Sequence, residues 1–355
     1  MSKKGDEVYK NFYSNNIVRC ASVYEKKHEI LSRNYMKESQ NSPNNITFDI
    51  ILFKWQKSNE IKLKGSTKNK YENLINMHIL PKLGHLKLSE ITTTLLNGFL
   101  KDKLEYGRLN EIGGLSPSYV RSISHIITSA LQYAVTEELC EPLKTKICKP
   151  SIIKGELPIL SMDNQKSLEA YTRANLKPTN IGIMISLYTG LRIGEVCALS
   201  WNDIDFDLKT IFVRHTVARV KSNNKKTKTE LILDEPKTIS SKRIIPIPEP
   251  LFSLILEYKK ISTSLYVVSN TASFVSPRTY ESRFCKVLKS CNIKKINYHG
   301  LRHTFATRCI EAGVDIKSLS EILGHSNVST TLNTYVHSSL EMKKKQLEKL
   351  TTLLI

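Results

Sequence analysis

The amino-acid sequence has few features typical of membrane or secreted proteins. It contains no 18 consecutive apolar residues, and its first 16 residues, MSKKGDEVYKNFYSNN, lack the apolar core of a signal peptide. The seven cysteines are odd in number and scattered, and no Cys-x-x-Cys pair occurs, which argues against a disulfide framework and against a zinc finger. We therefore expect a soluble, unsecreted protein in a reducing cytoplasm.

Acidic residues are also scarce compared with basic ones. Lysine and arginine together number 53 against 33 aspartates and glutamates, which gives a formal net charge of +20 at pH 7. This excess favours a polyanionic partner, above all nucleic acid, because basic side chains that neutralise phosphates release condensed counterions. An anionic membrane surface is the weaker alternative. At 355 residues, the chain is long enough for two or three domains.

The first part of the chain separates into a polar arm and a helical region. Residues 1–45 are rich in Asn and Ser and end in ESQNSPNN, a cluster of turn formers, so we interpret them as an arm. Residues 46–149 have apolar residues at helical spacing in four segments, the fourth beginning at Ser116-Pro117, which predicts an all-α bundle. Its basic residues either form a solvated face or contact a nucleic-acid backbone, and the candidates are Lys68, Lys70, Lys101 and Arg121.

A proline-containing stretch, residues 150–158, is typical of an interdomain linker. Beyond it, residues 159–340 begin with helical patterns and continue with three runs rich in β-branched residues, TIFVRHTVARV, ELILDEP and RIIPIP. These runs predict a three-stranded antiparallel sheet, after which helical patterns resume. The last residues, 341–355, form an amphipathic tail. The fold class predicted is therefore mainly α with a small antiparallel β-sheet (α+β).

One short stretch, HGLRHTFAT, has two local interpretations. His299 and His303 are four residues apart and would share a helix face, as metal ligands do. No glutamate follows His299, and no third ligand occurs at an ordinary spacing, so we do not expect a metal site. His299 and Arg302 are three residues apart, and an imidazole and a guanidinium on one face could converge on a single phosphate. His303 then packs within the helix or supports the site.

Four other positions carry side chains suited to the same chemistry. Arg192 follows the helix break predicted at Thr189-Gly190. Lys237 lies in the turn between two predicted strands, where a long amine can reach a ligand. His325 follows Gly324 at a predicted helix end, and Tyr335 comes ten residues later.

The motifs around these residues occur in one order along the chain. TGLRIGE, PKT in a predicted hairpin, HGLRHTFAT and LGHSNVSTTLNTY together resemble the catalytic domain of tyrosine recombinases, the phage integrase family, over roughly residues 155–340. Residues 46–149 resemble, less specifically, the helical core-DNA-binding (SAM-like) domain of that family. The resemblance implies a catalytic domain over 159–340 and a C-shaped clamp on DNA. In many integrases, a small domain that binds arm-type sites stands where residues 1–45 stand here.

The resemblance also implies roles for six residues, matched by position. They are the nucleophile Tyr335, the phosphate-clamping arginines Arg192 and Arg302, the hairpin lysine Lys237, and the histidines His299 and His325. A phosphodiester gains negative charge in its pentavalent transition state, so a site rich in cations and hydrogen-bond donors suits it. His299 is the candidate to accept the tyrosine proton or to orient the phosphate, and Lys237 to protonate the leaving 5′ oxygen. Because side chains supply the charge, we expect no metal and no other cofactor.

The neighbours of these residues have less specific interpretations. Arg192 either binds phosphate or caps its helix and pairs with Glu195, and Glu195 is the candidate to orient it from behind. Lys242 and Arg243 lie close to Lys237 in the same hairpin and are predicted to contact the DNA backbone or to form a solvated loop. His303 is predicted to support the site through helix packing.

The reaction implied is cleavage and rejoining of DNA through a 3′-phosphotyrosine intermediate, which integrates or excises a phage or mobile element. The partners implied are duplex DNA with specific recombination sites, a homotetramer in the synaptic complex, an accessory DNA-bending or excision factor, and no membrane. Off DNA we expect a monomer or weak oligomer, in the bacterial cytoplasm near the nucleoid. Residues 341–355 either pack on their own domain or are exchanged between protomers. The alternatives are DNA relaxation like that of a type IB topoisomerase, and non-catalytic DNA binding.

Overall fold

A computed structural model describes most of the chain beyond the predicted arm. The described residues are 46–59, 65–109, 112–152, 155, 157–222, 229–235, 241–269, 271–335 and 348. The arm 1–45, Lys237 and all of the tail 341–355 except residue 348 lie outside this part of the chain. The chain divides into two compact units, and the boundary falls after residue 154. Among the described helices, none is both long enough and apolar enough to cross a bilayer.

The first unit is built from helical segments, as the apolar periodicity predicts. They are α1 (Phe48–Ser58), α2 (Gly65–Leu74) continued by a π-helical turn (Ile75–Ile79) and α3 (Leu80–Leu83), a short 3₁₀ turn (Leu88–Glu90), α4 (Thr93–Tyr106) and α5 (Pro117–Thr136). The start of α5 confirms the Ser116-Pro117 prediction, because the Ser116 hydroxyl accepts a hydrogen bond from the Tyr119 backbone N–H at 3.3 Å.

The apolar faces of these helices form one core. On α1, Phe48, Ile51, Leu52 and Trp55 are buried at helical spacing. They pack with apolar residues of α2 to α5 in a single hydrophobic cluster. The polar faces of the same helices therefore remain at the surface, which is where the predicted DNA contacts of this unit lie.

The second unit contains eight α-helices and five strands within the described residues. They are α6 (Met162–Ala174), α7 (Pro178–Thr189), α8 (Ile193–Ala198), β1 (Ile204–Asp205), β2 (Thr210–Val213), β3 (Thr216–Lys221), β4 (Thr229–Asp234), β5 (Arg243–Pro246), α9 (Glu249–Ile261), α10 (Pro277–Ser290), α11 (His299–Glu311), α12 (Ile316–Leu323) and α13 (Val328–Tyr335). This mainly helical composition with small antiparallel sheets confirms the predicted fold class.

The strands differ in one respect from the predicted single sheet. The run TIFVRHTVARV is not one strand, because regular pairing is interrupted at residues 214 and 215. Its first half, β2, pairs with β1 and β5, and its second half, β3, pairs with β4 alone. The prediction of one three-stranded sheet from the three runs is therefore wrong. Alternating β-branched residues continue through the break, so the pattern cannot show where the chain changes sheets.

Two apolar clusters hold the elements of the second unit together. The larger one includes α7, whose residues from Asn180 to Leu187 are all buried, and it extends to the sheet β1–β2–β5 and to α9 and α10. The smaller cluster joins α11, α12 and α13 through Ala306, Leu319, Leu323 and Tyr335. Tyr335 is thus held at the end of α13 by apolar packing against the two preceding helices.

Candidate active site

Two left-handed glycines bring separate parts of the second unit to one place. Gly190 ends α7 at φ 66°, and Gly324 ends α12 at φ 65°, a backbone conformation that side chains disfavour. A Cβ at Gly190 would also lie 2.6 Å from the Phe305 ring and 2.8 Å from Leu323 Cδ2. Each glycine ends its helix with a sharp turn of the chain. Arg192 and His325 follow these turns directly.

Arg192 links the two helix ends. Its Nη1 donates to Glu195 Oε1 at 2.9 Å, and its backbone N–H donates to Glu195 Oε2 at 2.9 Å. Its Nη2 donates to the Gly324 carbonyl at 3.3 Å. About a third of the Arg192 side chain, 34%, stays exposed, so the guanidinium is fixed in position and still accessible to an anion.

Arg302 is buried in the interior and is only 1% exposed. Its Nη1 donates to the Gly190 carbonyl at 2.8 Å, and its Nη2 donates to the Leu323 carbonyl at 2.7 Å. Burial, followed by the charge of Arg192, lowers the pKa of Arg302 to about 9, so the guanidinium remains cationic at neutral pH. Arg302 therefore places a fixed positive charge inside the unit.

His325 is held between Arg302 and α13. Its Nε2 lies 2.9 Å from Arg302 Nη2, and its Nδ1 lies 2.8 Å from the Thr331 hydroxyl. Since a guanidinium only donates, Nε2 must accept, which assigns the ring proton to Nδ1. Burial, followed by Arg302 and Arg192, lowers the pKa of His325 to about 4. The imidazole is consequently neutral at pH 7.

Tyr335 points its hydroxyl at a histidine. The Tyr335 Oη lies 2.9 Å from His303 Nδ1, and only 8% of the tyrosine is exposed. Burial raises the pKa of Tyr335 although Arg302 and Arg192 act to lower it, and burial together with Arg302 lowers the pKa of His303. The phenol is therefore protonated at neutral pH and donates to a neutral imidazole.

His299 lies beside His303 on α11, with the two ring centroids 4.5 Å apart and the rings nearly perpendicular at 87°. Desolvation by the surrounding protein lowers the pKa of His299 to about 4, and the charges of His303, Arg302 and Arg192 act in the same direction. Part of the side chain is nevertheless exposed at the surface. Within the described residues, no hydrogen bond joins His299 to Tyr335.

Five of the six residues predicted to be catalytic thus converge in one place. They are Arg192, His299, Arg302, His325 and Tyr335. The sixth, Lys237, lies outside the described residues. The site combines two guanidinium groups, neutral imidazoles and one phenol, which suits a reaction that develops negative charge on a phosphate. In the described part of the chain, no three His, Cys, Asp or Glu side chains are grouped so that they could hold a metal ion.

Two family models match the chain. The model of the phage integrase family matches residues 157–342, which is more than half of the 355 residues. The model of the N-terminal SAM-like domain of phage integrases matches residues 47–104. The chain belongs to the phage integrase family. The predicted resemblance to tyrosine recombinases is thereby confirmed.

Curated relatives agree with this membership, and solved structures share the fold. The chain is 27% identical over 336 residues to a tyrosine recombinase XerC-like protein of Caldanaerobacter subterraneus subsp. tengcongensis, covering 87% of this chain and 81% of that protein. It is 25% identical over 349 residues to the ICEBs1 integrase of Bacillus subtilis, covering 91% and 88%. The fold is similar to that of the Tn1549 transposon integrase bound to circular intermediate DNA, with a TM-score of 0.69, 24% identity and coverage of 86% and 100%. A lambda integrase tetramer bound to a Holliday junction matches with a TM-score of 0.60, 18% identity and coverage of 86% and 82%.

In this integrase, Glu195 contacts two arginines, one of which was predicted to bind DNA. Arg243 Nη2 donates to Glu195 Oε2 at 3.0 Å, and its Nε donates to the Ile322 carbonyl at 2.5 Å. The Arg243 side chain is 6% exposed, so it does not lie in a solvated loop, and its contact with the DNA backbone stays a prediction. Burial acts to raise the pKa of Glu195, but Arg243 and then Arg192 outweigh it, and the pKa lies below its usual value. Arg243 ties β5 to the carboxylate that orients Arg192.

The other basic residues predicted to bind DNA are distributed over both units. Lys242 pairs with Glu235 at 2.8 Å on the surface of the second unit.

In the first unit, the Lys70 ammonium donates to the Ser122 hydroxyl at 3.1 Å, and Arg121 Nε donates to the Pro150 carbonyl at 2.7 Å. Lys101 is exposed on α4, and Lys68 is half-buried on α2. Their contacts with DNA remain predictions.

The neutral histidines of the site make its stability depend on pH. The pKa of His325 is lowered from 6.5 to about 4, so between these values the unfolded chain binds a proton that the folded chain does not. The free energy of unfolding therefore falls as pH falls. Between pH 7 and pH 5 we expect it to fall by about 1 kcal/mol. This is less than the full pKa shift would give, because the site is partly exposed to solvent. Urea unfolding followed by Trp201 fluorescence, in a Trp55→Phe background, measures this loss in the second unit.

Two variants test the source of this pH dependence. His325→Asn should show a shallower dependence than the parent protein. His85→Asn, which replaces an exposed histidine of the first unit, should keep the parent's dependence. Equal pH dependence in all three proteins would contradict a neutral, partly buried His325.

Proposed function

We propose that this integrase is a site-specific DNA recombinase that inserts or excises a mobile element by forming a 3′-phosphotyrosine bond at Tyr335. The observation that carries the proposal is the position of the Tyr335 hydroxyl, buried beside Arg302 and within the field of Arg192. Both cations act to lower the pKa of this phenol. The same charges stabilise phenolate character during attack and the extra negative charge of the pentavalent phosphorane.

The two arginines play different parts in this proposal. Arg192, with 34% of its side chain exposed, binds a non-bridging phosphate oxygen directly and is held in place by Glu195. Arg302 is 1% exposed, so it contributes a buried positive charge, and the Gly190, Leu323 and His325 contacts use three of its five N–H donors. His325 Nε2 can donate to the same phosphate only after it leaves Arg302 and takes up a proton. In this proposal, a phosphate contact of His325 competes with its hydrogen bond to Arg302.

Lys237 completes the proposed reaction. A lysine among several cations has a lowered pKa and can protonate the 5′ oxygen that leaves when the tyrosine attacks. The phosphotyrosine conserves the energy of the broken phosphodiester bond, so a 5′ hydroxyl of another strand can attack it without ATP.

We propose duplex DNA carrying specific recombination sites as the substrate and a homotetramer as the synaptic assembly. The lambda integrase relative is described as a tetramer bound to a Holliday junction, which supports the tetramer for this chain. The net charge of +20 supports phosphate contacts from both units, with Lys68, Lys70, Lys101, Arg121 and Lys242 as candidates. An accessory DNA-bending or excision factor, and action in the bacterial cytoplasm at the nucleoid, belong to the same proposal.

Strand exchange between two sites tests the proposal. A supercoiled plasmid should carry the two junctions that flank the integrase gene in its host, and a matched plasmid should carry only one of them. We expect recombinant circles from the first plasmid and none from the second. Relaxation of both plasmids without exchange would indicate topoisomerase activity, and binding with unchanged topology would indicate a non-catalytic DNA-binding protein. Either result would contradict the recombinase.

A further inference from the structure

The Tyr335 hydroxyl is hydrogen-bonded to an unexpected histidine. His303 Nδ1 lies 2.9 Å from Tyr335 Oη, whereas His299, the predicted proton acceptor, contacts the neighbouring ring of His303. The two histidines are four residues apart on α11. His303 is therefore the imidazole in direct contact with the atom that attacks phosphorus.

We infer that His303 is a catalytic residue that accepts the proton of the Tyr335 hydroxyl during strand cleavage and returns it during rejoining. This inference rests on the proposed function, because it assigns a role within that reaction. It also revises the role of His299, which is left to orient the phosphate or the ring of His303.

In the proposed step, each proton has a donor and an acceptor. As Tyr335 Oη forms its bond to phosphorus, its proton passes to His303 Nδ1, which becomes an imidazolium. The bond between phosphorus and the 5′ oxygen breaks, and that oxygen takes a proton from Lys237, the general acid of the proposed function. Rejoining reverses each transfer: the 5′ hydroxyl attacks, its proton returns to Lys237, and His303 protonates the departing phenol oxygen.

The position of His303 is fixed by its neighbours on the helix. Arg302 is 1% exposed and Thr304 is 0% exposed, so both residues that flank His303 are anchored in the interior. Thr304 in addition accepts a hydrogen bond from the Leu160 backbone N–H at 2.9 Å. With the helix held on both sides, the His303 ring is directed toward the end of α13, where Tyr335 is packed. A base held in this way meets the geometric requirement for proton transfer.

The groups around the ring determine when it can act. His303 faces Tyr335 of α13, and on its own helix it faces His299 and Arg302, while Arg192 and Glu195 of the α8 region complete the charges of the site. Burial and Arg302 keep the imidazole neutral in the free protein, which leaves Nδ1 able to accept. A phosphate anion bound beside it adds negative charge, which raises the basicity of the imidazole at the moment of attack.

Three variants and one control separate proton transfer from simple positioning. His303→Asn keeps an oxygen able to accept the tyrosine hydrogen bond but cannot take the proton, and His303→Ala removes both functions. His299→Asn is the comparison for the other imidazole, and His85→Asn is the control at an exposed position of the first unit. Binding of an uncleaved site by each variant, measured by gel shift, verifies that the protein is folded.

The measurement is the rate of covalent adduct formation on a nicked suicide substrate between pH 6 and pH 9. A second substrate carries sulfur at the 5′ bridging position, so its leaving group needs no general acid and the attack step is isolated. On both substrates we expect His303→Asn and His303→Ala to react roughly 10²-fold more slowly than wild type at pH 7. The deficit should shrink toward pH 9, where hydroxide replaces the imidazole.

Other outcomes would overturn the inference. A wild-type rate in His303→Asn would reduce His303 to a positioning residue, and a deficit constant across pH would reduce it to a structural one. A deficit that is pH-dependent in His299→Asn and absent in His303→Asn would return the role to His299. If the wild-type protein itself formed no adduct, the proposed function would be refuted. If the wild type formed an adduct and only the His303 results disagreed, the inference alone would fail.

Discussion

Tyr335→Phe should eliminate the covalent protein–DNA adduct while leaving the fold and DNA binding intact. The substitution removes one oxygen, and the ring keeps its packing against Ala306, Leu319 and Leu323. Loss of the hydrogen bond to His303 should change the free energy of unfolding by no more than about 1 kcal/mol. Loss of the nucleophile, in contrast, should lower the adduct yield at least about 10³-fold, because phenylalanine offers no atom that can attack phosphorus.

The matched control for this variant is Tyr188→Phe. Tyr188 also donates its hydroxyl hydrogen, to Glu169 at 3.1 Å, and it lies in the same unit. We expect its adduct yield to equal that of wild type. An adduct formed at the wild-type rate by Tyr335→Phe would mean that another residue is the nucleophile.

Arg302→Lys should lose both catalysis and stability. A lysine keeps the charge but has one ammonium group, which cannot donate to both the Gly190 and Leu323 carbonyls and to His325 as the planar guanidinium does. Because both carbonyls belong to buried residues, we expect the unfolding free energy to fall by about 2–4 kcal/mol. We expect cleavage to fall by about 10²–10³-fold or more, as on removal of one preorganised donor.

Arg192→Lys is the comparison that separates the two effects. The Arg192 side chain is 34% exposed, so its replacement should cost little stability and still reduce cleavage strongly. Urea unfolding reported by Trp201, in the Trp55→Phe background, measures stability, and the nicked substrate measures cleavage. Wild-type cleavage by Arg302→Lys at a temperature where it is folded would contradict the role of the buried guanidinium.

The helices and the place of the site were predictable from the sequence because they depend on local patterns. Phe48, Ile51, Leu52 and Trp55 recur at helical spacing, and all four are buried on one face of α1. Glycines after Thr189 and Leu323 end two helices, which places Arg192 and His325 where the motif order predicts them. Local rules and family motifs lead to the same residues here.

What the sequence could not reveal depends on contacts between distant residues. Arg243 lies in a hairpin beside lysines, which is typical of a solvated or DNA-facing arginine. Its partner Glu195 lies 48 residues earlier in the chain, and no spacing rule connects the two. The strand break at residues 214 and 215 likewise depends on pairing with other strands, because β2 pairs with β5 and β3 pairs with β4.

His303 is a case in which the pattern was visible and its meaning was not. The spacing of four from His299 correctly predicts that the two rings share a helix face, and the centroids are 4.5 Å apart. The sequence does not show that Tyr335, 32 residues later, brings its hydroxyl to that face. The role of Lys237 remains a prediction.

In the proposed mechanism, Tyr335 forms the covalent bond to DNA. The most direct test is to trap the adduct of the wild-type protein on a nicked suicide substrate, digest it with protease and nuclease, and locate the attached nucleotide by mass spectrometry. The mechanism predicts a 3′-linked nucleotide on the peptide that contains Tyr335, and no such peptide from Tyr335→Phe. A nucleotide found on any other residue, or linked through a 5′ phosphate, would contradict it.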